Sequence, residues 1–282
     1  MRILLIAIAI HAVTACSDRQ ERRHSHEETA DCDQEQLLAA PVYEHDNAKP
    51  CPAGTQLRRT SPSGKQQLAC VDGDGKRQGP SWQLDDRGSL SVAGNFRDDL
   101  RHGFFDLWGS GSRLHSIPFC AGVRHGEATY WHAGTTQVAS QGSFRHGAKQ
   151  GRWRDWYADG TLARVEHYVD GLEHGRFEAW SNDGTALGEF RMERGTGTWV
   201  EWHATGKQLT RGEMRGGKRV GRWTTWYETG KIESEGEYRD GAAHGPWVFF
   251  FPNGQRRREG AFELGREVGV WREWDESGAV IP

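Results

Sequence analysis

The chain has 282 residues, with 36 basic and 39 acidic side chains and a formal charge of −3. So even a balance gives no electrostatic reason for nucleic-acid binding. With 35% hydrophobic residues and 37 glycines, the composition is globular and rich in turns.

Residues 1–15 read as a signal peptide. Arg2 supplies the positive start, and Ile3 to Ile10 is an unbroken apolar run. That run is too short to span a bilayer as a retained helix. It ends in Val13-Thr14-Ala15-Cys16, which resembles the lipobox of bacterial lipoproteins. The resemblance implies cleavage before Cys16 and a diacylglycerol on its thiol. Ser17 follows, not the aspartate that holds enteric-type lipoproteins in the inner membrane. An outer-membrane lipoprotein facing the periplasm or the outside is therefore expected. Residues 16–50 show no apolar periodicity and are predicted to be a lipidated cysteine on a flexible polar tether. His24, His26 and His45 lie there among acids and read as solvated, not as metal ligands.

Beyond Cys16 stand Cys32, Cys51, Cys70 and Cys120, an even number suited to an oxidising compartment. Cys51 and Cys70 flank a segment with Pro62-Ser63-Gly64 near its middle. This predicts a disulfide-stapled cap hairpin over residues 51–78. Such a closure stabilises by roughly 3 kcal/mol and protects the first edge of a long sheet. Cys32 and Cys120 are left as the second bridge. No Cys-x2-Cys spacing supports a metal site.

From Gly79 the chain repeats itself. The opening glycines are Gly79, Gly103, Gly126, Gly151, Gly175, Gly197, Gly221, Gly245 and Gly269, spaced 22 to 25 residues apart. Such a constant period marks a repeat architecture. The second position after the glycine holds Phe105, Trp153, Phe177, Trp199, Trp223, Trp247 and Trp271. The fifth holds Trp108, Trp131, Trp156, Trp180, Trp202, Trp226, Phe250 and Trp274. Seven residues before each new opening glycine stand Phe96, Phe119, Phe144, Tyr168, Phe190, Met214, Tyr238 and Phe262. The segments between turn signals are too short for typical helices. Asp159-Gly160, Asp183-Gly184, Thr229-Gly230, Asn253-Gly254 and Ser277-Gly278 mark hairpin turns. The predicted fold is all-β: an elongated array of about nine tandem antiparallel β-hairpins over residues 79–282.

Three details stay open at this level. Gly94, Gly142, Gly188, Gly212, Gly236 and Gly260 stand two residues before a closing large residue. They either leave room for a neighbouring ring or introduce a bulge. The Trp-x-x-Trp spacing is three, so the two rings face opposite ways or a bulge realigns them. Units two and three are irregular, with Gly111 and Gly134 early, Ala128 in place of the first aromatic, and Pro118 lacking a ladder donor. The last return strand is predicted to be vestigial. A lone hairpin is marginal in water, so the units are expected to stabilise one another by stacking.

The pattern Gly-x-Trp-x-x-Trp-Tyr-x-x-Gly, then Tyr-x-x-Gly-x-x-x-Gly, occurs in Gly151–Gly175 and Gly221–Gly245. It resembles the membrane occupation and recognition nexus (MORN) repeat in its bacterial variant form, often labelled YwqK-type toxin–antitoxin antitoxin. The resemblance implies an elongated antiparallel array with one hairpin per unit and no conserved chemistry.

No Gly-x-Ser-x-Gly elbow, Walker loop or His-Glu-x-x-His is present. Asp72-x-Asp74 reads as a turn rather than a calcium loop. His102, His125, His174 and His244 precede opening glycines and read as solvated loop positions. The expectation is a non-enzymatic protein without cofactor or metal. The candidate partner-binding residues are Trp153, Trp156, Tyr157, Trp180, Trp202, Trp223, Trp226, Tyr227, Trp247, Trp271 and Trp274. Arg152, Arg154, Arg176, Arg222 and Arg272 flank the tryptophans and are expected to cover rings or to meet a partner's carboxylates. The partner is expected to be an envelope protein. A secreted toxin, met by an immunity lipoprotein, and a lipid or glycan ligand are the alternatives.

Overall fold

The computed structural model describes residues 51–61 and 65–281. The signal peptide, Cys16, the tether, Cys32 and Pro62-Ser63-Gly64 lie outside the described residues. Among the described residues every regular element is a strand. All pairing is antiparallel and follows the order of the chain, in sheets of 15 and 8 strands. At the N-terminal end Gln56–Thr60 pairs with Gln67–Val71, and Cys51 is bonded to Cys70. Cys120 is also disulfide-bonded, and its expected partner Cys32 lies outside the described residues.

Each unit is one hairpin, and the seventh shows the pattern. The outgoing strand Lys218–Trp226 meets the return strand Ile232–Arg239, with Gly221 opposite Tyr238 and Trp223 opposite Gly236. The hairpin turn is longer than the tight form expected. In the fourth unit Tyr157 N donates to Thr161 O, and the Asp159 side chain accepts from Thr161 N. Only Gly160 has positive φ there. The two-residue turns instead join one unit to the next. Asp170-Gly171 has φ of 52° and 82°, and Asp240-Gly241 has 50° and 88°, as type I′ requires. At these turns Gly171 N donates to Lys149 O and Gly241 N to Arg219 O, both 2.9 Å. Each turn therefore hangs on the one before. On the other edge Tyr157 Oη donates to Trp180 O (2.9 Å) and Tyr227 Oη to Phe250 O (2.6 Å). His132 and His203 use Nε2 for the same bond in the third and sixth units.

The six glycines before the closing residues are the packing key. None of them has positive φ, so they are not there for backbone freedom. A Cβ at Gly142, Gly212, Gly236 or Gly260 would lie 2.1–2.2 Å from the indole of Trp153, Trp223, Trp247 or Trp271. Each ring lies flat on the bare backbone of the preceding strand. The indole N–H of Trp153, Trp223 and Trp247 then donates to the carbonyl of Ser143, Glu213 and Glu237 at 3.1–3.2 Å. Ring packing explains these glycines, and the ladder shifts register beside the same four, with the extra residues on the following outgoing strand.

Where the glycine is missing, the ring changes to suit. Extended one step beyond the last paired residues, Ser116 with Thr129 and Val165 with Glu178, the register sets Ile117 beside Ala128 and Glu166 beside Phe177. A side chain in the slot is thus met by a smaller residue on the next strand. The fifth unit breaks this compensation. Its hairpin register is the ordinary one, with Met192, not Phe190, opposite Gly175, but the connection from that closing residue to the next opening glycine, Gly197, is two residues shorter than from Tyr168 to Gly175. Phe190 falls in the glycine's place, opposite Phe177. A shift of two keeps every side chain on its own face, so the strand still forms. Phe190 now confronts Trp199, two large rings where one fits, with centroids 5.1 Å apart. The ladder stops there, and the sheet divides between Ala186–Met192 and Gly197–Trp202. Ring contacts and the Gly217 N to Gly195 O bond still join the two halves.

The single expected sheet is therefore two, still in meander order. The paired path has 12 strands in one sheet and 8 in the other. At about 4.8 Å per strand this is an array on the order of 95 Å along its contour. Solution scattering on residues 51–282 is expected to give a radius of gyration well above the roughly 18 Å of a compact domain of this size. A value near that figure contradicts the extended array.

Candidate interaction surfaces

Side chains alternate along a strand. The one-residue shift in each hairpin lies on the return strand, as where Asp155 faces Arg164 but Trp156 faces Leu162. The outgoing strand keeps its alternation. The second and fourth positions therefore share one face, and the third and fifth share the other. This answers the Trp-x-x-Trp question: the two rings point to opposite sides.

The first face carries a buried aromatic spine. Trp153 and Trp223 are 3% exposed, Phe177 2% and Trp247 7%. Closing aromatics separate them edge-on: Phe144 on Trp153, Tyr238 on both Trp223 and Trp247, Phe262 on Trp271. Cations cap this spine, but not the arginines expected. Arg77, Arg101, Arg124, Lys149 and Arg219, each two residues before an opening glycine, lie 3.8–5.1 Å from ring centroids. Arg176, Arg222 and Arg272 instead pair with Glu189, Glu235 and Glu259.

A polar group interrupts the spine at the fourth unit. Glu166 is buried in the glycine slot, accepting from Tyr168 Oη at 2.7 Å and from Arg164 at 3.1 Å. Burial pushes the carboxyl of Asp155 up, with repulsion from Glu166 adding to it. Burial likewise pushes the Tyr168 hydroxyl up. These partners satisfy a charge that would otherwise be costly inside. The cluster has a structural account, with the charge of Glu166 paired inside the fold.

The opposite face carries a second row. Trp108, Trp131, Trp156, Trp180, Trp226, Phe250 and Trp274 are all half-buried. Successive rungs are two strands, about 9.6 Å, apart. Arg113 lies over both Trp108 and Trp131, 5.4 and 5.6 Å from their centroids. Trp202 departs from the row at the sheet break, where its ring covers Gly188.

The predicted partner residues thus divide. Trp153, Trp223 and Trp247 are spent on the spine, and Trp271 is a half-buried spine member. Tyr157 and Tyr227 clamp neighbouring units through their hydroxyls. Trp156, Trp180, Trp226 and Trp274 remain on the open face. Asp72 makes the expected turn, its carboxylate accepting from Asp74 N and Lys76 N. The histidines before opening glycines are half-buried, not freely solvated. His102 Nε2 and His244 Nδ1 are buried without a partner, and burial lowers the pKa of His102. No group of three metal-ligating side chains occurs among the described residues. No described helix is long and apolar enough to cross a membrane.

No curated protein sequence matches the chain. The sequence model of the MORN repeat variant matches residues 149–170, 219–240 and 243–263. Each match begins two residues before an opening glycine, at the position that caps the spine with Lys149 or Arg219 in the first two. Each ends at or beside the following type I′ turn. The hairpin defined by the geometry and the repeat defined by the family coincide, and the chain is a repeat protein carrying MORN-variant units.

Proposed function

We propose that this protein is a non-enzymatic scaffold, anchored to the bacterial envelope through lipidated Cys16, that binds another protein along its open aromatic face. The supporting observation is the division of the two aromatic rows. The fold consumes the spine, while Trp131, Trp156 and Trp180 remain half-exposed in register on the other side. Tryptophan dominates interface hot spots because it covers large area at low entropic cost. The test is cross-linking of the full chain in native envelopes. A protein partner captured by the wild type should be lost on joint Trp156→Ala and Trp180→Ala replacement, with the far-UV spectrum unchanged. Equal capture by the double variant rejects the open face as the binding surface. Cys16→Ala should move the protein from the membrane fraction to the soluble one, and retention in the membrane rejects the anchor.

A further inference from the structure

We infer that the fourth and fifth units carry a cationic row that docks an acidic segment of the partner protein. This rests on the scaffold reading and specifies its chemistry.

The row lies on the open face, at the first position after the opening glycine and its cross-strand partner. Arg152 stands opposite His167, and Arg176 opposite Arg191, on four adjacent strands. The next two units place Thr198 opposite Glu213 and Arg222 opposite Glu237. Like charges directly opposite each other destabilise a sheet, so the Arg176–Arg191 pair of unit five gives up the opposite-charge pairing that unit seven has between Arg222 and Glu237. Arg176 is neutralised by Glu178 and Glu189. Arg152, Arg154 and Arg191 have no carboxylate partner among the described residues. Asp170, at the nearby turn, is taken by Arg194 at 3.6 Å.

The row also borders an interruption in the ladder. Pairing between Leu162–Val169 and Gly175–Trp180 covers only Arg164 with Ala179 and Val165 with Glu178. Beyond it His174 N donates to His167 O, and His167 Nδ1 bonds Arg176 O, both 2.8 Å. The resulting depression is lined by Gln150, His167, His174 and Arg176, among others.

Three strand spacings make the row about 14 Å long. An extended segment of about four residues covers that distance. Guanidinium forks match carboxylates in two-point contact. Trp156 and Trp180, on the same face, supply apolar contact beside the charges, as protein interfaces require. A broad anionic bilayer fits less well, because the half-exposed carboxylate of Glu189 sits within the same patch. A narrow segment running across the strands avoids it.

The test uses the full chain in detergent and a fluorescent hexaglutamate peptide, with phosphatidylglycerol vesicles as a separate arm. The peptide should bind, weaken at least tenfold from 50 to 300 mM salt as screening predicts, and weaken at least tenfold on joint Arg152→Glu and Arg191→Glu replacement. The unfolding midpoint of that variant should not fall. Arg211→Glu, on the same face of the second sheet, should stay within twofold. Affinity unchanged in the double variant, or vesicle binding without peptide binding, overturns the row. Envelope cross-linking separates the two readings. Equal capture by wild type and double variant rejects the row and leaves the scaffold standing. No capture by either removes both.

Discussion

Gly212→Ala is expected to destabilise the array by roughly 3–5 kcal/mol, the loss typical of deleting a buried aromatic outright. The reason is geometric. A methyl at this position lies 2.1 Å from Trp223 Cδ2, far inside contact distance. The indole cannot slide, because its N–H is held by Glu213 O at 3.1 Å and Arg219 covers its ring at 4.2 Å. It must leave the spine, and its burial leaves with it. The control is Gly73→Ala, a glycine with nothing within 4 Å of an added Cβ and no positive φ. That change should stay within about 0.5 kcal/mol. Urea unfolding followed by far-UV circular dichroism measures both. A Gly212→Ala effect below about 1 kcal/mol means that the ring does not lie on the backbone.

The second large effect separates the two tryptophans of one repeat. Trp247→Ala should cost roughly 3–5 kcal/mol. Its ring lies on Gly236, stacks on Phe249 at 5.8 Å, and meets Tyr238 and Phe262 edge-on at 5.3 and 5.8 Å. Trp226→Ala should cost about 1 kcal/mol, since Trp226 is half-buried on the open face. The clamp to its carbonyl from His203 survives the change, because it uses backbone. If Trp226 proves the costlier loss, the assignment of faces is reversed.

Trp226 also shows where sequence reasoning stops. The period, the hairpins and the slot glycines are all visible in the chain, because each follows from local spacing. Gly236 pairs with Trp247, only eleven positions later, and such a relation repeats with the units. Which tryptophan is buried is not visible, because a spacing of three is ambiguous until the bulge is assigned to one strand. Phe190 illustrates a second limit. By spacing from the next glycine it is a closing aromatic, yet Met192 fills that place. A two-residue deletion leaves side-chain parity intact, so its trace is the 22-residue spacing from Gly175 to Gly197, which does not say where in the unit the residues were lost. Arg77, Arg101, Arg124, Lys149 and Arg219 were missed for another reason. Their rings lie across the strand, while Arg152 and Arg222 are nearer in sequence but face the other way. A cation two residues before five of the nine opening glycines was the available signal.

The discontinuity beside Phe190 has a mechanical consequence. Elsewhere, parting two neighbouring units requires breaking paired backbone bonds, at most junctions together with a ring seated on a glycine. Between Met192 and Gly197 the backbone ladder is absent, and mainly ring-to-ring cohesion and the turn contacts resist bending. The molecule is therefore two stiff plates sharing one compliant joint. A ligand that grips the first plate alone leaves the second free to swing, whereas one spanning the joint must first set its angle.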